Sequence, residues 1–274
     1  MEDVDRLAAL AEQALAGHRL ALEELCRELQ GPLYRLALRV LGDPEDAKDA
    51  TQEALARVIT HLSQFRSESR LLTWAYAIAS RHFLRTRARR QQIRQVEHLE
   101  QRIVQGLSST EQGFEAADVT PAQVHETRIG CTQAMLQCLN MEERLALVLS
   151  EVLGADDKLG AWICDTTQVS FRKRLSRARN KLRPILEQLC GLASERAPCN
   201  CTRQACAKQR FGGLPAPVWT KLPLADERAI AVCEQLGRLR AGTSLFAISP
   251  PPEPPAELWR ELSGELRRML SADP

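Results

Sequence analysis

Residues 46–66 read DAKDATQEALARVITHLSQFR, and this stretch decides the fold class. Its apolar residues recur every three or four positions, which is the period of a helix with one buried face. The stretch follows Asp43-Pro44, a pair typical of a helix N-cap and first turn. The sequence therefore predicts an amphipathic helix whose inner stripe consists of Ala47, Ala50, Ala54, Val58, Leu62 and Phe65.

The same period continues along most of the 274 residues, in which aromatic residues are only 4%. Helices are predicted over residues 4–42 with a break near Gly31-Pro32, from about Leu71 to Arg90, and from near Val124 onward. Residues 91–125 have little apolar periodicity and indicate a linker that is partly helical early on. The last helices are expected around 225–239 and 256–270. The predicted fold class is all-α, with no strand signal.

Composition excludes several classes of protein. No window is long and uncharged enough for a transmembrane helix. The acidic start MEDVDRLAAL differs from a basic signal peptide, so a cytoplasmic protein with reduced thiols is expected. We find no catalytic constellation and expect no enzymatic activity.

Charge is segregated along the chain although the formal net charge is only +2. Residues 66–94 and 158–183 each carry eight basic residues and one acidic residue, whereas residues 1–65 and 95–157 are net acidic at −5 and −8. Two compact basic blocks indicate two contacts with a polyanion.

Three motifs carry the functional prediction. Asp46, Asp49 and Glu53 share one face of the first helix, where like charges repel, so this face suggests a basic partner; a solvated surface is the alternative. Residues 73–94 interleave arginines with aromatics, a pattern suited to single-stranded nucleic acid; core packing is the alternative for Trp74 and Phe83 and is favoured for Trp74. Two helices around Cys164-Asp165-Thr166 indicate a helix-turn-helix, or else a basic helix that binds nothing.

DAKDATQEALARVITHLSQFR followed by LLTWAYAIASRHFLRTRARR resembles region two of bacterial extracytoplasmic-function sigma factors. MEERLALVLSEVLG followed by QVSFRKRLSRARNKLRP resembles their region four, and order and spacing agree over about residues 10–186. The resemblance implies two small helical domains joined by a flexible linker. It gives region 2 at 1–94, the linker at 95–125, region 4 at 126–186 and a helical C-terminal extension at 187–274.

The resemblance also implies partners: core RNA polymerase, through its clamp helices, and promoter DNA. Whether an anti-sigma factor binds the chain is left open. Polymerase docking is assigned to Asp46, Asp49, Gln52 and Glu53. The minus-ten element, including capture of a flipped base by the 65–70 loop, is assigned to Arg66, Arg70, Tyr76, Ser80, Arg81, Arg85, Arg87 and Arg89. The minus-thirty-five element is assigned to Gln168, Ser170, Arg172, Lys173, Arg174, Arg177 and Arg179.

This sequence departs from the family pattern at two places. Family members usually have Asn at the position of Ser80, and Leu-Gly-Ile where this chain has Cys164-Asp165-Thr166. The base preference of relatives therefore does not transfer. The alternative function is a stand-alone helix-turn-helix regulator, in a metal- or thiol-responsive form if the extension is a sensor.

The extension carries a cysteine cluster. All five histidines lie at or before position 125, so a local metal site would be all-cysteine. The cluster resembles a pattern found after region four in a subset of these sigma factors, but its spacing is not a standard zinc spacing. Zinc or another metal, a redox-active thiol pair and structural cysteines all stay open, with no cofactor required. The candidate ligands are Cys190, Cys199, Cys201 and Cys206. Cys26, Cys131, Cys138 and Cys164 are expected in the core.

Overall fold

A computed structural model describes residues 2–67, 69–87, 97, 99–101, 103–104, 119–211 and 254–271. In this part of the chain every regular element is a helix, apart from one isolated bridge, which confirms the all-α prediction. The helix predicted around 225–239 lies outside the described residues.

The first compact unit contains four helices from the N-terminal part of the chain. They are α1 (Glu2–Leu15), α2 (Arg19–Leu41), α3 (Pro44–Thr60) and α4 (Leu71–Arg87), with a short 3-10 turn at Leu62–Gln64. The unit also includes Ala161–Thr166 and the C-terminal helix, whose bounds are given below. Its core forms where α2 packs against α1, α3 and α4.

The predicted break at Gly31-Pro32 is wrong, because α2 continues through Pro32. The chain turns earlier, at Gly17, whose φ of +90° suits glycine. A proline inside a helix removes one backbone hydrogen bond and costs about 3 kcal/mol. A continuous buried stripe crosses the position of Pro32 and consists of Leu25, Leu29 and Leu33, each at most 1% exposed. The packing of these leucines outweighs the cost of the proline.

Helix α3 follows its local sequence. The Asp43 carboxylate accepts backbone N–H bonds from Glu45 at 2.9 Å and Asp46 at 3.0 Å, so the predicted N-cap is confirmed. The predicted stripe is buried from Ala47 to Leu62, while Phe65 is half-buried.

The second compact unit contains α5 (Pro121–Gln137), α6 (Met141–Leu147), α8 (Gln168–Pro184) and α9 (Cys201–Phe211). A short π-helix, Val148–Val152, continues α6, and another, Ile185–Leu189, continues α8. Helix α7 (Asp157–Ile163) begins in this unit, and the C-terminal helix is α10 (Ala256–Ser271). Helix α5 starts a few residues before the predicted Val124, because Thr120 forms a capping box with Gln123.

The two described helices of the extension belong to different compact units. Helix α9 packs on α5 in the second unit, whereas α10 packs on α2 in the first. Leu258 and Leu262, four residues apart on α10, pack within the chain at 0% and 4% exposure.

Candidate nucleic-acid and protein interfaces

The acidic face of α3 lies opposite its buried alanine stripe. Asp49 and Glu53 are exposed, and Asp46 and Gln52 are partly exposed. Glu53 is tied to the next helix, because its carboxylate lies 2.8 Å from Nε2 of the buried His82 on α4. The structure thus brings the four predicted docking residues together on one accessible face.

Lys48 and Glu261, which the sequence did not single out, lie at the edge of this face. Nζ of Lys48 donates to Glu261 Oε1 at 2.6 Å, and Nε2 of Gln52 donates to Glu261 Oε2 at 3.0 Å. No sequence signal pairs residues more than 200 positions apart, so only the tertiary structure reveals this contact.

The aromatic residues near α4 have two different roles. Phe83 is fully buried, so the core interpretation is correct for it. Trp74 is half-buried, and its ring lies 5.5 Å from that of Phe65 at an interplanar angle of 53°. This pair leaves an aromatic surface beside the 65–70 loop, as stacking on bases requires.

The prediction that Ser80 contacts DNA is wrong. Its side chain is 0% exposed because it lies on the inward face of α4, between the buried Ala79 and the core residue Phe83. At this position a side chain can affect packing of the bundle but cannot reach a nucleic acid.

The other predicted residues of this block are distributed around α4 and the loop before it. Arg66, Arg70 and Arg85 are exposed, and Tyr76 is partly buried. Arg81 is partly buried, donates to the backbone oxygen of Trp162 at 2.8 Å and lies 5.7 Å from that ring. The side chains of Arg87 and Arg89 lie outside the described residues.

Helix α8 has the geometry expected of a recognition helix. The Thr167 hydroxyl caps it by accepting the backbone N–H of Ser170 at 3.1 Å. Its inner face, at most 5% exposed, is formed by Phe171, Leu175, Ala178 and Leu182.

The basic residues of α8 differ in what holds them. Arg174 pairs with Glu142 at 2.9 Å, Arg179 donates to Glu151 at 2.9 Å, and Arg172 lies 3.7 Å from Asp157. Lys173 and Arg177 are exposed on the outward side and make no ion pair with any described residue. These two cations are the ones most available to an incoming phosphate.

The outward start of α8 also presents an apolar side chain. Val169 is 53% exposed between Gln168 and Ser170, which are themselves exposed and partly exposed. Apolar groups here can contact a thymine methyl in a major groove. Val169 was not among the predicted site residues, although its helical position opposite the buried Phe171 indicates an exposed side chain.

The turn before α8 adopts a left-handed conformation at Asp165, with φ of +52°. Glycine fits this conformation without cost, and Asp tolerates it better than most residues. Cys164, the residue before Asp165, is buried at 5% exposure. The departure from the family pattern is thus accommodated locally.

The cysteines of the extension only partly follow the prediction. Cys190, Cys199 and Cys201 line a cavity of about 30 Å³, but its fourth cysteine is Cys131 from α5, whereas Cys206 is not among the lining residues. Cys131, which was expected in the core, is partly buried and lines this cavity. Cys26, Cys138 and Cys164 are buried as expected.

Burial in the cavity disfavours the thiolate form of Cys131, Cys190 and Cys199 by raising the pKa of each. Burial raises the pKa of Cys199 to about 12, and burial together with the neighbouring thiols raises the pKa of Cys131 well above its ordinary value. A thiol must lose its proton to ligate a metal or act as a nucleophile. Within the described ranges, no three His, Cys, Asp or Glu side chains are arranged to hold a metal ion.

A helical bundle and a capped helix-turn-helix together are typical of DNA-binding transcription proteins. Residues 25–93 match the family Sigma-70 region 2. The chain is 30% identical to the ECF RNA polymerase sigma factor SigC of Mycobacterium tuberculosis, over 66% of this chain and 91% of the relative. It is 31% identical to SigE of Mycolicibacterium smegmatis, over 60% and 61%, and 28% identical to the RNA polymerase sigma-H factor of Pseudomonas aeruginosa, over 66% and 93%.

The chain belongs to the ECF RNA polymerase sigma factors. About a third of this chain lies outside the alignment with SigC. Among the helices described here, none has the length and apolar composition needed to cross a membrane.

Proposed function

We propose that this protein docks on core RNA polymerase through the acidic face of α3 and directs the enzyme to promoters. The observation that supports this most is the combination of an accessible acidic face on α3 with two separate basic surfaces. In this proposal the protein works in the cytoplasm and makes or breaks no covalent bond.

Each surface has a physical task. The acidic face complements a basic surface on the polymerase clamp and sets the orientation of the docked protein. The Phe65–Trp74 pair and the arginines beside it offer stacking and phosphate contacts to the minus-ten strand once it unpairs. In this proposal Gln168 and Val169 at the start of α8 enter the minus-thirty-five major groove, while Lys173 and Arg177 bind phosphates.

Run-off transcription tests the function directly. Purified protein and sigma-free core polymerase are mixed with genomic fragments, and the start sites of the transcripts are mapped. Discrete transcripts that need the added protein support the proposal. Failure to bind core polymerase at all would overturn it, and tight binding to duplex DNA without polymerase would favour a stand-alone regulator.

Asp49→Lys is expected to weaken binding to core polymerase by about tenfold, because it places a positive charge in the middle of the acidic face. Asp49 is exposed on α3, so the fold should be retained. The measurement is a titration of labelled protein with core polymerase. Glu12→Lys, the same charge reversal on an exposed site of α1, is the matched control, and equal affinity for the two variants would remove α3 as the docking face.

The double substitution Lys173→Ala/Arg177→Ala is expected to weaken promoter binding by the holoenzyme. It should also make the slope of log K against log salt shallower by about 2, since each phosphate contact contributes about 0.9. The control is Arg183→Ala, an exposed cation near the other end of α8. A slope that does not change would show that Lys173 and Arg177 do not reach phosphate.

A further inference from the structure

The C-terminal helix α10 is anchored on the first unit by apolar side chains. Leu258 and Leu262 lie one helical turn apart and are 0% and 4% exposed. Full burial of a leucine is worth about 1.5–3 kcal/mol. The ring of Trp259 adds a contact with α2, because the Arg27 guanidinium lies 4.6 Å from its centroid.

The polar contacts of α10 fall on the helix that carries the docking face. Glu261 accepts hydrogen bonds from Lys48 and from Gln52, and Gln52 is one of the four predicted docking residues. Lys48 directly precedes Asp49, at the centre of the acidic face. Helix α10 therefore occupies the α2-side edge of that face, and its Glu261 already uses the Gln52 amide.

The polar contact between Glu261 and Lys48 is a solvent-exposed ion pair, which is weak enough to be reversible. The ion pair is mutual, since Glu261 raises the pKa of Lys48 and Lys48 lowers the pKa of Glu261. The Glu261 side chain is 46% exposed, so solvent and salt screen the attraction. Such a contact can be displaced by a larger protein surface.

We propose that α10 is an intramolecular occupant of the polymerase-docking face, so that α10 and core polymerase compete for the edge of α3 at Gln52. The inference rests on the proposed function, because it assigns that face to polymerase. Only the fraction of molecules with α10 released then binds polymerase, and the apparent affinity falls by that fraction.

The test is Glu261→Lys in the full chain. Lysine at this position faces Lys48 and repels it, so α10 should leave its site while every docking residue stays intact. Affinity for core polymerase should rise about three- to tenfold. A direct charge effect would act in the opposite direction, because a new cation beside the acidic face repels a basic partner.

The matched control is Glu257→Lys, which reverses a charge on the same helix. Glu257 is exposed, and its described ion pair is with Arg260 on α10 itself. This variant should bind polymerase as the original chain does. Gly264→Ala should act in the opposite direction to Glu261→Lys, because it strengthens α10 as a helix with no atom within 4 Å to obstruct the new methyl group.

Hydrogen exchange separates failure of this inference from failure of the proposed function. In Glu261→Lys the amides of residues 256–271 should exchange faster without polymerase, and adding core polymerase to the original chain should have the same effect on them. Unchanged exchange in the variant, or faster exchange with unchanged affinity, overturns the competition. If the original chain and all variants fail to bind polymerase, the proposed function fails together with this inference, whatever the exchange shows.

Discussion

Replacing Arg144 by methionine is expected to lower the free energy of unfolding of the second unit by about 2–3 kcal/mol. Arg144 is 0% exposed, and its guanidinium donates to the backbone oxygen of Leu136 at 2.7 Å and to that of Leu139 at 2.8 Å. Leu136 lies in the last turn of α5 and Leu139 lies two residues beyond its end, where a helix leaves its last oxygens short of partners. Methionine fills the space but removes the Arg144 hydrogen bond from both oxygens, and the Leu136 oxygen keeps the Leu139 N–H at 3.1 Å.

Urea unfolding followed by circular dichroism, with hydrogen exchange of residues 121–152, measures this loss. Burial lowers the pKa of Arg144 only to about 10, so the side chain stays charged at neutral pH and its hydrogen bonds are charge-assisted. Arg177→Met, the same change at an exposed site of the same unit, is the control and should alter stability little. A loss below about 0.5 kcal/mol for Arg144→Met would contradict the role assigned to this residue.

The second large effect is expected at Gly160 in α7. A Cβ on this residue would lie 2.2 Å from Cζ of Phe171, far closer than two carbon atoms approach. Phe171 is fully buried and cannot swing away without opening the inner face of α8. Gly160→Ala should therefore cost about 1–3 kcal/mol from overpacking, against a helix-propensity gain of about 1 kcal/mol.

The same substitution also displaces the recognition helix, so we expect binding to the minus-thirty-five element to fall more than stability does. Thermal unfolding and promoter binding by the holoenzyme measure the two effects. Gly264→Ala in α10 is the matched control for stability and should be neutral or stabilising, since its surroundings are open. Equal stability changes at the two glycines would mean that Gly160 and Phe171 are not in close contact.

Local signals predicted the helices well. Asp43 and the apolar stripe of α3 act within one or two turns of chain, and both are found where the sequence places them. The outward position of Lys173 and Arg177 follows from the same periodicity. Ser80 shows the limit of this reasoning, because a polar residue beside basic ones gives no local sign of which face it occupies.

The sequence by itself determined the helical class, the capped ends and the segregation of charge that indicates two contacts with a polyanion, and its motifs carry the resemblance to sigma factors. The tertiary structure alone decided that α2 runs through Pro32, that Cys131 joins the cysteines of the extension, and that α10 packs on α2 and reaches α3 through Glu261. Caps and periodicity depend on neighbours in the chain, whereas these three features depend on burial against segments far away in sequence. Glu261 and Gln52 meet only because the buried Leu258 and Leu262 hold α10 against the bundle.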